Sequence, residues 1–169
     1  MSPSLYRLGL TGYPLDHSLS PNLHVAALQA CALPGEYRLY PVPPEDETGL
    51  QELLKRMRSE TLHGLNVTIP HKRKVLSLLD EVSPTAQAIG AVNTIYVRDG
   101  SLRGENTDAA GFLTDLGRVF PVTVPGVALV LGAGGSARAV VYALLQAGWQ
   151  VCVAARRLEQ AQALRQAIS

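Results

Sequence analysis

Apolar positions along this chain recur with two different periods, and the period switches several times. Leu5 to Thr11 alternates apolar and polar residues and predicts a first strand. Ser20-Pro21 follows, a capping residue ahead of a proline at the first helical position, and an apolar helix continues to about Leu33. Glu36 to Val42 predicts a second strand through Tyr37, Leu39 and Tyr40, and Pro41, Pro43 and Pro44 place its far end at a sheet edge. Across Thr48 to Arg58, the residues Leu50, Leu53, Leu54 and Met57 keep a helical period. Leu62 to Ile69 predicts a strand stopped by Pro70, Lys72 to Leu79 a helix, and Pro84 to Ile89 a shorter helix. Ala91 to Val97 and Ser101 to Gly104 bracket Asp99-Gly100, the strongest short hairpin signal in the chain.

Alternating strands and helices closed by a hairpin pack as an α/β layer structure. Residues 1–107 therefore read as a mostly parallel, three-layer domain, with a cleft for a small molecule. Asn106-Thr107-Asp108 opens a helix to about Val119, and 108–125 reads as a connecting helix and a proline-punctuated linker. Val127 to Leu131 is a short, fully apolar strand running into Gly132-Ala133-Gly134-Gly135-Ser136-Ala137. The helix after it ends at Gly148, and a strand (Val151 to Ala155) and a helix (Leu158 to Ile168) follow. A doubly wound nucleotide-binding half needs three parallel strands, and two follow Gly126. Residues 126–169 thus read as the start of an incomplete Rossmann-type domain, and the chain as the front part of a larger design.

Composition narrows the class. Hydrophobic residues make up 47% and charged residues 17% of the 169, a core-forming balance. A net charge of +1 gives no electrostatic reason to expect nucleic acid or an acidic membrane as partner. No apolar run approaches the roughly 20 residues of a membrane helix, and the first residues carry no secretion signal, so the expected compartment is the cytoplasm. Cys31 and Cys152 stand in apolar neighbourhoods and read as two buried thiols. His17, His24, His63 and His71 share no metal-ligand spacing, and no metal is assigned.

Candidate chemistry lies in two loops and one turn. Gly12-Tyr-Pro-Leu-Asp-His-Ser18-Leu-Ser20-Pro21 and Asn66-Val-Thr68-Ile-Pro70-His-Lys72 each close a predicted strand and present hydroxyls, an amide or a lysine. Alternation in an extended loop aims Ser18 and Ser20 the same way, toward one ligand, although Ser20 equally suits a helix N-cap. Gly132, Gly134 and Ala137 fit the G-x-G-x-x-A fingerprint between an apolar strand and a helix, where backbone approaches a pyrophosphate. The next strand ends in Ala155-Arg156-Arg157 rather than an acidic residue, which suits a 2′-phosphate and hence NADP over NAD. Lys72 at a helix start opposes the macrodipole, whereas Asp108 in a first turn is welcome there and reads equally as a cap. The 36 residues between them leave open whether they meet. Asn66 and Asn93 read first as amides serving backbone groups.

These motifs together resemble the shikimate dehydrogenase family. The resemblance rests on Gly12 to Pro21, Gly64-Leu-Asn-Val-Thr-Ile-Pro-His-Lys72, Gly90-Ala-Val-Asn-Thr94, Gly104-Glu-Asn-Thr-Asp108 and Gly132-Ala-Gly-Gly-Ser-Ala-Arg138. It implies that Ser18 and Ser20 bind the carboxylate region of shikimate, and that Thr68, Asn93, Asp108 and Lys72 hold its ring hydroxyls. It implies that Lys72 and Asp108 form the catalytic pair. Gly132, Ala133, Gly134, Gly135, Ser136, Ala137, Arg156 and Arg157 are the implied NADP contacts. The implied reaction is NADPH-dependent, reversible reduction of 3-dehydroshikimate to shikimate in chorismate and aromatic amino-acid biosynthesis. A quinate/shikimate dehydrogenase and an inactive ligand-binding fragment are the alternatives, and a homodimer is an assembly to be tested.

Overall fold

The computed structural model describes residues 5–46, 48–120 and 124–168. The first six strands form one sheet in the order β2 (Gly35–Pro41), β1 (Tyr6–Gly12), β3 (Gly64–Val67), β5 (Thr94–Arg98), β6 (Ser101–Glu105), β4 (Glu81–Val82). β1 runs parallel to β2 and β3, and β4 parallel to β6, so the sheet is mostly parallel; β5 is antiparallel to both of its neighbours. The β5–β6 hairpin turns where the dipeptide signal puts it, with Asp99 at φ 53° and Gly100 at φ 78°, both left-handed. β2 is an outer strand, as its prolines require. The two-residue β4 is too short to leave a periodic trace in the sequence.

Register divides the side chains between two faces. Leu10 sits opposite Leu39 and Asn66, while its neighbour Gly9 sits opposite Arg38 and Leu65. One face therefore carries Leu65 and Val67 and packs with α2 (Gly49–Arg58), whose Leu50, Leu53, Leu54 and Met57 are all buried. The other face carries Leu8, Leu10, Tyr37 and Leu39 and packs with Val25 of α1 (Ser20–Ala30). Helices on both faces give the three layers.

A second, two-stranded parallel sheet pairs β7 (Val127–Leu131) with β8 (Gln150–Ala154), and α5 (Gly135–Gln146) and α6 (Leu158–Ile168) follow these strands. It joins the first through α3 (Pro84–Ile89), α4 (Asp108–Val119) and α5, whose contact is a cluster of small residues: Ala91, Ala109, Ala139 and Ala143 around Ile89. The other face of β7 is bare, with Val127, Leu129 and Leu131 at 69%, 65% and 77% exposure.

Several expectations need correction. Both cysteines are exposed. Cys152 pairs in register with Leu129 on that bare face, and Cys31 follows the last turn of α1; an apolar neighbourhood in sequence does not say which face is covered. α1 ends at Ala30 because the chain turns at Ala32, φ 52°. The segment after Pro70 is a turn followed by a 3₁₀ stretch, Lys74–Leu78, so Lys72 lies before the helical residues rather than in their first turn. Of the expected 121–126 link, 121–123 lie outside the described residues. No described helix is long and apolar enough to cross a membrane.

Candidate functional site

The two motif loops are bolted together at the carboxyl ends of β1 and β3. Thr68 N–H donates to Thr11 O at 2.9 Å and Tyr13 N–H to Ile69 O at 2.9 Å. The contact is tight enough to require glycine: a Cβ on Gly12 would lie 2.3 Å from Thr68 Cγ2 and 2.8 Å from Ile69 O. Above this junction opens a cavity of about 510 Å³, whose lining includes Ser18, Ser20, His24, Asn66, Thr68, Lys72, Asn93, Thr107 and Asp108. Every residue expected to touch the substrate thus faces one space.

At its inner end the Lys72 ammonium donates to Asp108 Oδ2 at 2.6 Å. Both side chains are largely shielded, at 12% and 31% exposure, so the contact is screened less than a surface ion pair. The second carboxylate oxygen of Asp108 accepts from Asn93 Nδ2 at 2.7 Å. Asn93 is itself locked: its Nδ2 donates to Thr107 Oγ1 (2.9 Å), and its Oδ1 accepts from Thr107 N–H (3.0 Å) and Thr94 Oγ1 (3.0 Å). The amide expected to serve a backbone group does so at Thr107 N–H, and it also orients a carboxylate. Asp108 does not cap α4, whose N-cap is Thr107 without a side-chain bond.

Ser20 is likewise not a cap. Leu19 is the N-cap of α1, Ser20 is the first helical residue, and its N–H donates to Ser18 Oγ at 3.3 Å. Beside the serines, the rings of His24 and Tyr37 stack in parallel with centroids 4.4 Å apart, and Tyr37 Oη donates to Asn66 Oδ1 at 2.8 Å. Burial pushes the Tyr37 phenol up and pulls the His24 imidazole down, so both favour their neutral forms. His24, Tyr37 and Thr107 are the residues at or beside the cavity that sequence reasoning missed, while Asn66, put forward in its motif but read first as serving backbone groups, lines the cavity as well. For Tyr37 and Asn66 the usable signal was register, since the strand period puts Tyr37, Leu10, Asn66 and Thr94 on one face.

The glycine turn reaches the site through Lys72. Gly132 takes φ 117°, Gly134 is the N-cap of α5, and α5 has no side-chain cap. A Cβ on Gly134 would meet nothing within 4 Å, so the space beside this residue is open. Such an uncapped, open helix start fits the pyrophosphate of a dinucleotide. Gly135 instead abuts Lys72, whose Cβ and Cδ would lie 3.0 Å from an added Cβ, and Ser136 Oγ accepts from Lys72 Nζ at 3.2 Å. Arg156 and Arg157 lie outside the cavity, just beyond β8; both are exposed, and neither forms an ion pair among the described residues. No cluster of three metal-ligating side chains occurs among the described residues.

An α/β sheet whose strand ends hold a hydroxyl-lined cleft, facing a strand–glycine turn–helix unit, defines a protein built for a small polar molecule beside a dinucleotide-type turn. The sequence profile of the shikimate dehydrogenase substrate binding domain matches residues 10–95. The chain belongs to the shikimate dehydrogenase family. It is similar to the NADP(+) shikimate dehydrogenase of Dictyoglomus thermophilum, with 42% identity over 89% of this chain and 53% of the relative. Its fold is similar to the crystal structure of shikimate 5-dehydrogenase from Thermus thermophilus in complex with NADP(H) and shikimate, at a TM-score of 0.84 and 44% identity, covering 96% of this chain and 60% of that one. It is also similar to quinate dehydrogenase from Corynebacterium glutamicum in complex with NAD, at a TM-score of 0.85 and 38% identity, covering 96% and 59%. The chain thus spans between half and three fifths of the length of these relatives.

Proposed function

We propose that this protein catalyses the NADPH-dependent, reversible reduction of 3-dehydroshikimate to shikimate, a step of chorismate and aromatic amino-acid biosynthesis. The observation that carries this reading is the 2.6 Å contact of Lys72 with Asp108 in a hydroxyl-lined cleft, where the same ammonium also reaches Ser136 of the glycine turn. Residues 1–107 act as the substrate unit, 108–125 as the connection, and 126–169 as the part that meets the cofactor. Ser18 and Ser20 hold the substrate carboxylate, while Thr68 and Asn93 hold ring hydroxyls together with Lys72 and Asp108. Gly132, Ala133, Gly134, Gly135, Ser136 and Ala137 receive the pyrophosphate, and Arg156 and Arg157 the 2′-phosphate. Bound NADPH supplies a hydride to the ring carbonyl carbon.

Lys72, in its ammonium form, donates a proton to the oxygen that becomes the hydroxyl. Asp108 orients that hydroxyl and holds the ammonium in line, and Asn93 fixes the carboxylate by donating to its other oxygen. In the reverse direction Lys72 takes the proton back. General acid–base help of this kind is worth roughly 10²–10⁴ in rate. The test is NADPH oxidation with 3-dehydroshikimate, with quinate and NADP(+) assayed in the opposite direction. The expected result is turnover on 3-dehydroshikimate, lowered about 100-fold or more by Lys72→Ala with little change in NADP affinity. Preference for quinate would move the reading to the quinate/shikimate class, and failure to bind either acid would overturn it. We also take the cytoplasm as the compartment and a homodimer as the assembly, the latter checked by light scattering.

A further inference from the structure

We propose that Ser136 is a positioning residue that couples the glycine turn to Lys72. Its oxygen accepts from the lysine ammonium, and its hydroxyl proton donates to a phosphate oxygen held on the turn. The inference rests on the reading of Lys72 and of the turn given above, and adds a link between them.

Ser136 is the second residue of α5 and performs none of the duties usual there. It caps nothing, because the N-cap is Gly134 and no side chain caps the helix. The only hydrogen bond of its side chain among the described residues is the one it accepts from Lys72 Nζ at 3.2 Å, across 64 residues of sequence. A serine hydroxyl has two acceptor lone pairs and one proton to donate. Lys72 uses an acceptor site, and the proton has no acceptor among the described residues. The space beside it, over Gly134, is open.

The contact is built from both sides. The Lys72 stem lies against the backbone of Gly135 so closely that a Cβ there would come within 3.0 Å of two of its carbons. An ammonium at a helix N-terminus meets the positive end of the macrodipole. Among the described residues, Asp108 Oδ2 and Ser136 Oγ are the two oxygens that hold it there. An anion on the turn reverses the sign of that local field. It also polarises the chain Lys72 Nζ–H to Ser136 Oγ–H to phosphate oxygen, each bond strengthening the next. Occupancy of the turn is thereby felt at the lysine without a change of fold.

The experiment exploits a simple background: the sequence has three lysines, and Lys55 and Lys74 are exposed. In the full chain with ¹⁵N-labelled lysine, the exchange of each Nζ ammonium with water is read by NMR, and Lys72 is assigned by loss of its signal in Lys72→Arg. Lys72 should exchange most slowly. Ser136→Ala should speed it about three- to tenfold, the scale expected for a partly exposed hydrogen bond to a charged group. Lys55, Lys74 and the unfolding midpoint should stay unchanged, and Ser136→Thr, which keeps a hydroxyl, should restore slow exchange. Excess inorganic pyrophosphate should slow Lys72 further in the unmodified chain and not in Ser136→Ala. Equal exchange in the unmodified chain and Ser136→Ala, an equal pyrophosphate effect in both, or none in either would overturn the coupling. Shikimate separates the two readings: if it leaves the Lys72 signal unmoved, the substrate assignment fails, while the Ser136 contact is judged by the exchange rates alone.

Discussion

Gly12→Ala and Gly111→Ala are the same chemical change, and the structure predicts opposite signs for them. Gly111 lies inside α4, and a Cβ added there meets nothing within 4 Å. Alanine at such an exposed helical position stabilises by about 0.5–1 kcal/mol, by restricting the unfolded backbone. At Gly12 the new carbon would fall 2.3 Å from Thr68 Cγ2 and 2.8 Å from the carbonyl oxygen of Ile69. Carbon atoms pack at about 3.5–4.0 Å, so one side must retreat by roughly 1 Å. Rotating Thr68 does not solve the problem, because the second obstacle is backbone, tied to Tyr13 N–H at 2.9 Å. Overpacking of this kind costs about 1–3 kcal/mol. For a chain of this size, 1 kcal/mol moves the melting temperature by about 2–4 °C. Calorimetric melting should therefore fall by several degrees for Gly12→Ala and rise by a few for Gly111→Ala. Because the clash separates the two loops that face the cavity, Gly12→Ala should also weaken shikimate binding in titration calorimetry. A Gly12→Ala protein with unchanged melting and unchanged shikimate affinity would refute the claim that this close approach holds the cleft together.

Gly134→Ala puts a methyl group into the open space beside the N-cap of α5. NADP affinity should drop while melting changes little, since replacing an N-cap glycine by alanine costs less than about 1 kcal/mol; dye-free thermal melting with and without NADP checks both. Replacing Arg156 and Arg157 together by alanine should lower NADP affinity about tenfold or more, the scale of lost charge-assisted bonds, and leave NAD affinity nearly unchanged. Asp80 accepts two bonds from the Arg58 guanidinium, both 2.8 Å, and one from Leu102 N–H, and the guanidinium is the main cause that holds its carboxyl below the ordinary aspartate value of 3.8. A depressed folded-state value means stability that is present above 3.8 and lost as pH falls through the folded value. Asp80→Asn should therefore melt lower than the unmodified chain at neutral pH, with the gap closing as acid titrates the aspartate; a gap independent of pH would contradict this.

The periodic parts of the fold were legible because one physical cause sets both sequence and structure. The apolar stripe Leu50, Leu53, Leu54, Met57 is a helix face and is buried as one. Asp99-Gly100 needs two left-handed residues and has them. Long-range contact was not legible. Lys72 and Asp108 meet because segments far apart in sequence are fixed by backbone bonds: Val92 N–H to Lys72 O at 2.7 Å, and Asn93 N–H to Glu105 O at 3.0 Å. No local pattern encodes those pairings. Ser20 and Asp108 were ambiguous because hydroxyl and carboxylate groups at helix starts serve caps and ligands alike, and the choice depends on one residue of frame. The exposed cysteines show the converse limit, since composition reports that a stretch is apolar but not which face another layer covers.

The site depends on how closely the two sheets' helices approach, and that distance is set by side-chain size. α3, α4 and α5 meet through Ala91, Ala109, Ala139 and Ala143, residues that let backbones come near. Arg138, buried on α5, donates through Nε to Ile89 O at 2.6 Å and so ties α5 to the last turn of α3. The carbonyls there carry the negative end of the helix, which suits a guanidinium. Two residues before Arg138 on the same helix stands Ser136, and three before it Gly135, both against Lys72. Just after Ile89, Gly90 turns left-handed at φ 69°, and the chain then reaches Asn93, the donor to Asp108. One anchored helix thus fixes the glycine turn relative to Lys72 and to Asn93 together. Larger side chains at the alanine positions would widen that gap and separate the lysine from the turn before they disturbed either sheet.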